Sequence, residues 1–345
     1  MAGFLLDFFV RRVGLMEAAL VAAALASAAA FFAFFADKRR AKAGGRRLRE
    51  RTLLAAAVLA PVGSILAMLA FRHKLRKPRF RRAAAAGALL FLVAALHIGH
   101  GMTLGRMVRF LELEFRSESW PEQLDGYRIA FMSDFHTIPH DGMARVVAGL
   151  NARGMDLALL GGDFSMGGGH FLGTLAELAR LEAADGIFGV EGNHDEHGQL
   201  FAEMERLGIA PLDNGGLYVR EGFFLAGVAD MWNREPDIAA VSGAGGGSFV
   251  LLLSHNPDFG ASLPAGAAGL VLSGHTHGGQ INFFGYPLYL RRGTITSHGT
   301  AFARGFASHG GSPPVFVTSG VGVYYRVPRI FSRPEAVIFT MRSGG

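Results

Sequence analysis

Asp134 with His136, Asp163, Asn193 with His194 and Asp195, His255, and His275 with His277 share one setting in this chain. Each group follows a short apolar run and stands beside glycine or serine. The runs are Tyr127 to Met132, Leu157 to Leu160, Ile187 to Val190, Phe249 to Leu253 and Leu270 to Leu272. One histidine after such a run is ordinarily a hydrogen-bonded loop residue, whereas five successive runs delivering Asp, His or Asn make a pattern. Gly161-Gly162, Gly192, Gly274 and Gly278-Gly279 let the backbone turn tightly, so that these side chains converge. Nitrogen and oxygen donors without sulfur suit divalent manganese, iron, zinc or magnesium, and the chain contains no Cys. Asp134, His136, Asp163, Asn193, His255, His275 and His277 are too many ligands for one tetrahedral zinc. Two cations ~3.5–4 Å apart, sharing one carboxylate, would generate a metal-bound hydroxide and clamp phosphoryl oxygens during in-line displacement. A protonated histidine beside them would help the leaving alkoxide depart.

The elements that must position these groups are legible as well. Helical patterns from Met143 to Ala152 and from Phe171 to Ala184 separate several of the apolar runs. The alternation predicts an α/β domain whose strands are buried on both faces. In such sheets functional groups gather beyond the carboxyl ends of the strands.

The strings SDFH, GGD, GNHD, SHNPD and SGHTHGGQ, in this order, resemble the calcineurin-like metallophosphoesterases, and within them a membrane-associated bacterial branch. The resemblance covers residues 127–342, and the tail from Val315 to Met341 would supply final strands. It implies an α/β fold, a metallophosphoesterase-type β-sandwich flanked by helices. It also implies that Asp134, His136 and His277 bind a first metal, that Asn193, His255 and His275 bind a second, and that Asp163 bridges them. His194 would touch the phosphoryl group as general acid. Asp195 either orients a site histidine or caps the following helix. One departure concerns the residues after Asp163: Phe164-Ser165-Met166 replace a further Asp that many relatives carry, which removes expected support for His194. His140 and His170 read as solvated loop residues. Arg291, Arg292 and His298 follow the last motif and would meet either a phosphate or a membrane surface.

The N-terminal third has a different character. Residues 1–116 hold 20 Lys and Arg against 6 Asp and Glu, while residues 117–345 hold 14 against 22 with no Lys. The basic character therefore belongs to the first part, and the acidic remainder argues against a nucleic-acid groove. Apolar stretches Val13 to Ala36, Thr52 to Phe71 and Ala83 to Leu104 are each long enough to cross a bilayer. Basic clusters fence them. If all three cross, the two basic loops fall on opposite faces, contrary to the positive-inside rule. Pro61, Gly63 and Ser64 suggest instead that the middle segment is re-entrant, leaving the C-terminal domain outside the cytoplasm. Asp37 to Phe80 resembles a family of small bacterial membrane proteins of unknown function, and His73 there reads as an interfacial residue among basic neighbours. The expected organisation is an all-α membrane module with two or three transmembrane helices over 1–104, a linker over 105–126, and a phosphoesterase domain over 127–342. The expected protein is a multi-pass bacterial inner-membrane enzyme. It would hydrolyse a phosphodiester, pyrophosphate or phosphomonoester, and the anchor points to a lipid-linked one. The alternatives are a phosphodiesterase for soluble nucleotides and a catalytically silent metal-binding scaffold.

Overall fold

The computed structural model describes residues 15–136, 140–166, 171–287, 290, 295–324 and 329–344. The chain divides into two compact units at Gly99 and His100.

The first unit is helical: α1 (Leu15–Lys42), α2 (Glu50–Leu59), α3 (Pro61–Ala70) and α4 (Pro78–Met102). Leu20–Lys42 and Pro78–Arg106, of 23 and 29 residues, are long and apolar enough to cross a membrane. At ~1.5 Å per residue each exceeds a hydrocarbon core of ~30 Å. The middle apolar stretch is not one helix. α2 and α3 bend by 120° at a break where Ala60 leaves helical geometry and Pro61 begins α3. Proline has no N–H to continue the ladder of the preceding helix, so the break falls there. Gly63 lets α3 lie against α1, since a Cβ would come 1.7 Å from the Ser27 carbonyl oxygen. Phe34, Leu53, Ala57, Ala67, Met68 and Phe80 form this unit's core. His73, expected to lie loosely among its basic neighbours, has a specific partner. It is buried, with Nε2 2.8 Å from Asp37 Oδ2, and Asp37 also accepts from Arg47 Nη2 at 2.8 Å and the Leu48 N–H at 3.0 Å. A buried carboxylate needs such partners, which the basic sequence context concealed.

The second unit is a two-sheet sandwich. The first sheet runs β1-β12-β2-β3-β4-β5 and the second β10-β11-β9-β8-β7-β6. The first sheet is built from β1 (Arg109–Ser117), β2 (Arg128–Met132), β3 (Leu157–Leu160), β4 (Ile187–Gly189), β5 (Ala210–Pro211) and β12 (Glu335–Ser343). The second comprises β6 (Gly215–Arg220), β7 (Phe223–Gly227), β8 (Phe249–Leu253), β9 (Leu270–Ser273), β10 (Gly305–Ala307) and β11 (Val315–Val317). Ile129, Phe131, Leu157 and Leu159 from one sheet share a core with Phe223, Leu225, Leu251 and Leu272 from the other. Alternate residues on the first sheet, Ala130, Met132, Ala158 and Leu160, pack with Val146, Leu175 and Leu200. These belong to helices α5 (His140–Asn151), α6 (Leu172–Leu178) and α7 (His197–Arg206). The second sheet's outer face, with Ala226, Leu252 and Val271, packs with Ala240 and Phe259 from the short helices α8 (Ala239–Ser242) and α9 (Pro257–Ser262). Strands buried on both sides explain the continuous apolar runs, and each fully buried Leu or Phe contributes ~1.5–3 kcal/mol.

The stretch expected to be a linker carries an element of this sandwich. β1 pairs in parallel with β12 over its whole length, and Leu111, Leu113 and Phe115 pack on the core between the sheets. Their alternation with exposed Glu112 and Glu114 is that of an edge strand.

Candidate metal centre

The parallel strands β2, β3 and β4 are neighbours in one sheet, as are β8 and β9 in the other, so their carboxyl ends present five loops together. Backbone bonds lock the loops to each other: Asp134 N–H donates to Gly162 O at 3.0 Å, His136 N–H to Asp163 O at 3.0 Å, and Gly274 N–H to His255 O at 3.0 Å. The two sheets meet where His275 N–H donates to Asp134 Oδ1 at 2.9 Å. Asp134, His136, Asp163, His275 and His277 all have positive φ, between 34° and 69°. Non-glycine residues rarely hold that conformation, and such strain clusters where surrounding structure over-determines a functional geometry. Glycine is required at two contacts. A Cβ on Gly274 would lie 2.1 Å from Ser133 Oγ and 2.5 Å from Asp134 Oδ2, and one on Gly192 would lie 2.3 Å from Asp163 Oδ1.

The result brings all seven expected ligand residues and His194 to one place. Ligand atoms of Asp134, His136, Asp163 and His277 lie within 4.8 Å of one another, and all four residues are buried. Asp163 Oδ2 is 3.3 Å from His136 Nε2 on one side and 3.2 Å from His255 Nε2 on the other. Its Oδ1 accepts the His194 N–H at 2.9 Å.

Hydrogen bonding fixes which ring nitrogens carry lone pairs. His136 Nδ1–H donates to Ser165 O at 2.8 Å, His255 Nδ1–H to Gly161 O at 2.7 Å, and His275 Nε2–H to Ile295 O at 3.1 Å. In each neutral imidazole the other nitrogen is then an acceptor. Those acceptors face further acceptors. His255 Nε2 and His275 Nδ1 lie 3.2 Å and 2.8 Å from Asn193 Oδ1, with Asp163 Oδ2 beside them. Asp134 Oδ2 is buried without a hydrogen-bond partner. In their neutral forms these rings aim lone pairs at a common point, the donor set of a hard or borderline divalent cation. His277 is the exception. The Arg329 guanidinium, which can only donate, lies 3.2 Å from His277 Nδ1. This leaves the proton on Nε2, which donates to His136 Nε2 at 3.0 Å, so ligation through Nε2 requires that contact to open.

The carboxylates of the centre favour positive charge on His255. Burial opposes a charged His255, but Asp163, then Asp134 and Asp230, hold its pKa well above the usual histidine range. Burial also opposes ionisation of Asp163, yet His255 and His136 keep it well below the usual carboxylate range. Burial and then the charge of His255 push His275 down to about 3. Burial likewise lowers His194, which is half-buried and lies edge-on to His136 with ring centres 5.3 Å apart.

Asp195 has neither of the two roles expected. Its carboxylate accepts backbone N–H bonds from Asp163 at 2.8 Å, Phe164 at 2.9 Å and Gly192 at 2.9 Å, tying the β3 loop to the β4 loop. His140 begins α5 rather than a loop, while His170, Arg291 and Arg292 lie outside the described residues. His298 packs on Phe302 and His309.

Sequence reading missed four residues around the centre. Asp230, past the end of β7, has a buried Oδ2 without a partner, and Trp232 sets its ring edge-on to His275 at 4.5 Å. The run Phe223 to Gly227 followed by Val-Ala-Asp repeats the signal of the other strand ends. Arg329 is wholly buried; it donates to the carbonyls of Gly322, His277 and Ser319 and braces the His277 loop. Tyr324 faces both His136 and His194, with ring centres 5.4 Å and 5.3 Å away.

The model of the calcineurin-like phosphoesterase family matches residues 127–279, across all the ligand-bearing loops. The chain carries a calcineurin-like metallophosphoesterase domain. It is accordingly a metal-dependent phosphoric ester hydrolase, and the buried Asp and His cluster fits the divalent cations such enzymes use. Residues 27–80 match a family described as protein of unknown function, DUF1294. The chain is 29% identical over 254 residues to an uncharacterized metallophosphoesterase, YkuE, of Bacillus subtilis, covering 69% of this chain and 86% of that one. It is 28% identical to the Escherichia coli phosphodiesterase YaeI, covering 62% of this chain and 82% of the relative. A Danio rerio transmembrane protein with metallophosphoesterase domain is 28% identical over 71% of this chain, which spans 60% of its length. The apolar helices and this transmembrane relative suggest membrane association.

Proposed function

We propose that this metallophosphoesterase is a membrane-anchored, dimetal enzyme that hydrolyses a phosphodiester, pyrophosphate or phosphomonoester, with a lipid-borne phosphoester as the favoured substrate. The carrying observation is the position of Asp163 Oδ2, flanked at 3.3 Å and 3.2 Å by lone-pair nitrogens from two separate ligand groups. Asp134, His136 and His277 would hold one cation, Asn193, His255 and His275 the other, and Asp163 both. When bound, the pair supplies Lewis acidity to a water and to the phosphoryl oxygens.

The chain's own residues do the rest. Asp134 and Asp163 offset the charge of the cations. Ser165, Gly161 and Ile295 carbonyls keep His136, His255 and His275 in the tautomers that present lone pairs. His194, placed by its N–H bond to Asp163 Oδ1, gives its proton to the leaving oxygen as the P–O bond breaks. The further carboxylate absent after Asp163 leaves that proton's delivery to His194 with Tyr324 beside it.

A phosphodiester is favoured over a monoester by the likeness to the phosphodiesterase YaeI. Lipid linkage is favoured by the two apolar helices, which we read as spans of the bacterial inner membrane with the catalytic unit outside the cytoplasm. The test is hydrolysis of bis(p-nitrophenyl) phosphate with added manganese. Asp163→Asn and His194→Ala, each with a melting curve close to the parent's, are expected to abolish turnover. Full activity in both would reject these roles.

A further inference from the structure

Between β7 and α8 the chain crosses a loop, residues 229–237, that carries no expected ligand and is nonetheless tied down along its length. Asn214 closes it at both ends: its Oδ1 accepts the N–H groups of Ala229 at 2.9 Å and Asp237 at 3.0 Å, and its Nδ2 donates to Glu235 O at 3.0 Å. Within the loop, Asp230 O accepts the N–H groups of Asn233 at 3.1 Å and Arg234 at 2.9 Å, and Asp230 Oδ1 accepts the Trp232 N–H at 2.9 Å. Asn233 Nδ2 donates to Asn193 O at 2.9 Å. Arg234 Nη1 donates to Glu191 Oε1 at 3.1 Å and to Asp213 Oδ1 at 2.8 Å. Asp230, Asn233 and Arg234 are thus engaged with the protein, while Met231 and Trp232 stay 42% and 54% exposed. A large apolar side chain held in water gains free energy when a ligand covers it, and a loop already ordered adds little ordering cost to that binding.

The side of the metal centre on which this pair stands is defined. Trp232 lies edge-on to His275 with ring centres 4.5 Å apart. His275 belongs with His255 and Asn193, since Asn193 Oδ1 is 2.8 Å from His275 Nδ1 and 3.2 Å from His255 Nε2. His194 stands by the other ligand group, its ring 5.3 Å from those of His136 and Tyr324. The oxygen that takes the His194 proton departs with its substituent on the His194 side. The Trp232 side therefore faces the ester substituent that the phosphorus keeps.

We infer that Met231 and Trp232 form an apolar subsite for the retained substituent of a phosphodiester, so that the centre selects a diester whose second ester group is an apolar chain. The inference rests on the hydrolytic reading proposed above and deepens it, since a monoester has no group to place there. An apolar chain is favoured over a nucleoside because the loop offers the substituent a ring and a thioether. Asn233 and Arg234, which could pair with a base, are spent on Asn193, Glu191 and Asp213.

The experiment uses the full chain in one detergent, loaded with manganese, and two diesters with the same leaving group: methyl p-nitrophenyl phosphate and hexyl p-nitrophenyl phosphate. The parent should favour the hexyl ester in kcat/KM. Trp232→Gln should lower that hexyl-to-methyl ratio about tenfold through KM, the scale of a methylene lost from an apolar pocket. Trp232→Phe should restore most of the ratio. A parent without hexyl preference, an unchanged ratio in Trp232→Gln, or an equal loss on both esters (the mark of a purely structural role) would overturn the inference. So would a larger loss on the p-nitrophenyl ester of thymidine monophosphate, which would assign the ring to a nucleoside. Binding is read separately from turnover. Hexyl methylphosphonate, an inert analogue, should shift the tryptophan emission of the parent and not that of Trp232→Phe, because Trp120, the other tryptophan, is buried. An unshifted parent contradicts the inference. A parent that shows the shift but hydrolyses neither ester would refute the hydrolytic reading alone.

Discussion

Asp195 and Arg329 hold the metal centre in shape without being among its expected ligands. Asp195 gathers three backbone N–H groups from two loops, and burial, then the charge of Asp163, raises its pKa to about 7. Asp195→Ala would strand those three buried donors, and each stranded donor costs ~1–3 kcal/mol. The expected loss is on the order of 3 kcal/mol of stability, read from urea denaturation, together with weaker manganese binding by calorimetry. Unchanged stability would show that the loops hold each other without it. Arg329 fills three carbonyls and His277 Nδ1 from a wholly buried position, where burial lowers its pKa to about 10. Arg329→Met is expected to destabilise by ~3 kcal/mol, because the carbonyls it served remain buried. A stable variant would mean that water replaces the guanidinium.

The loops work only because their strands hold them at fixed spacing, and two features of the elements can be tested. Gly274 follows β9 so closely under Asp134 that any side chain would collide with Ser133 and Asp134. Gly274→Ala should therefore reduce metal affinity and turnover at least about tenfold, the usual result of displacing a preorganised ligand by ~1 Å. The two sheets are also tied at the far end of the sandwich. Tyr127 OH donates to Asp185 Oδ2 at 2.5 Å, and Arg220, the last residue of β6, donates to both Asp185 oxygens at 2.9 Å and 2.5 Å. Burial opposes the Asp185 charge, but Arg220 and Tyr127 keep its pKa below the usual value. A carboxylate depressed in the folded state stabilises it above the unfolded value of ~3.9, and that contribution is lost as pH falls through the folded value. Urea midpoints at pH 7 and pH 3 should thus differ less for Asp185→Asn than for the parent. An identical difference would remove Asp185 from the acid response.

How much of this was legible in the chain follows from the same elements. β2, β3, β4, β8 and β9 are buried on both faces, so they read as apolar runs, and the polar residue after each run is the ligand candidate. β1 was hidden because its partner, β12, lies more than 200 residues away in sequence and its charged exposed face looks like a linker. Arg329 and Tyr324 reach the centre only through folding of the C-terminal loop, which no local periodicity encodes. Asp230 was within reach, since it follows β7 as the other candidates follow their strands.

At the scale of the whole molecule, two helices able to cross a membrane precede a hydrolase whose metal centre lies among the loops at one end of its sandwich. A reporter fused after Arg116 should be active only outside the cytoplasm, and activity confined to the cytoplasm would reverse the proposed orientation. Cations that bind the folded centre alone should raise its stability by ~2.7 kcal/mol at a hundredfold excess over Kd, so chelation should lower the melting temperature of the sandwich. The most direct test of the account is anomalous scattering from a manganese-soaked crystal, with metal content measured on the same protein. The account predicts two peaks ~3.5–4 Å apart, one on each side of Asp163, with the pair lost in Asp163→Asn. A single peak in the parent protein at saturating manganese would contradict it.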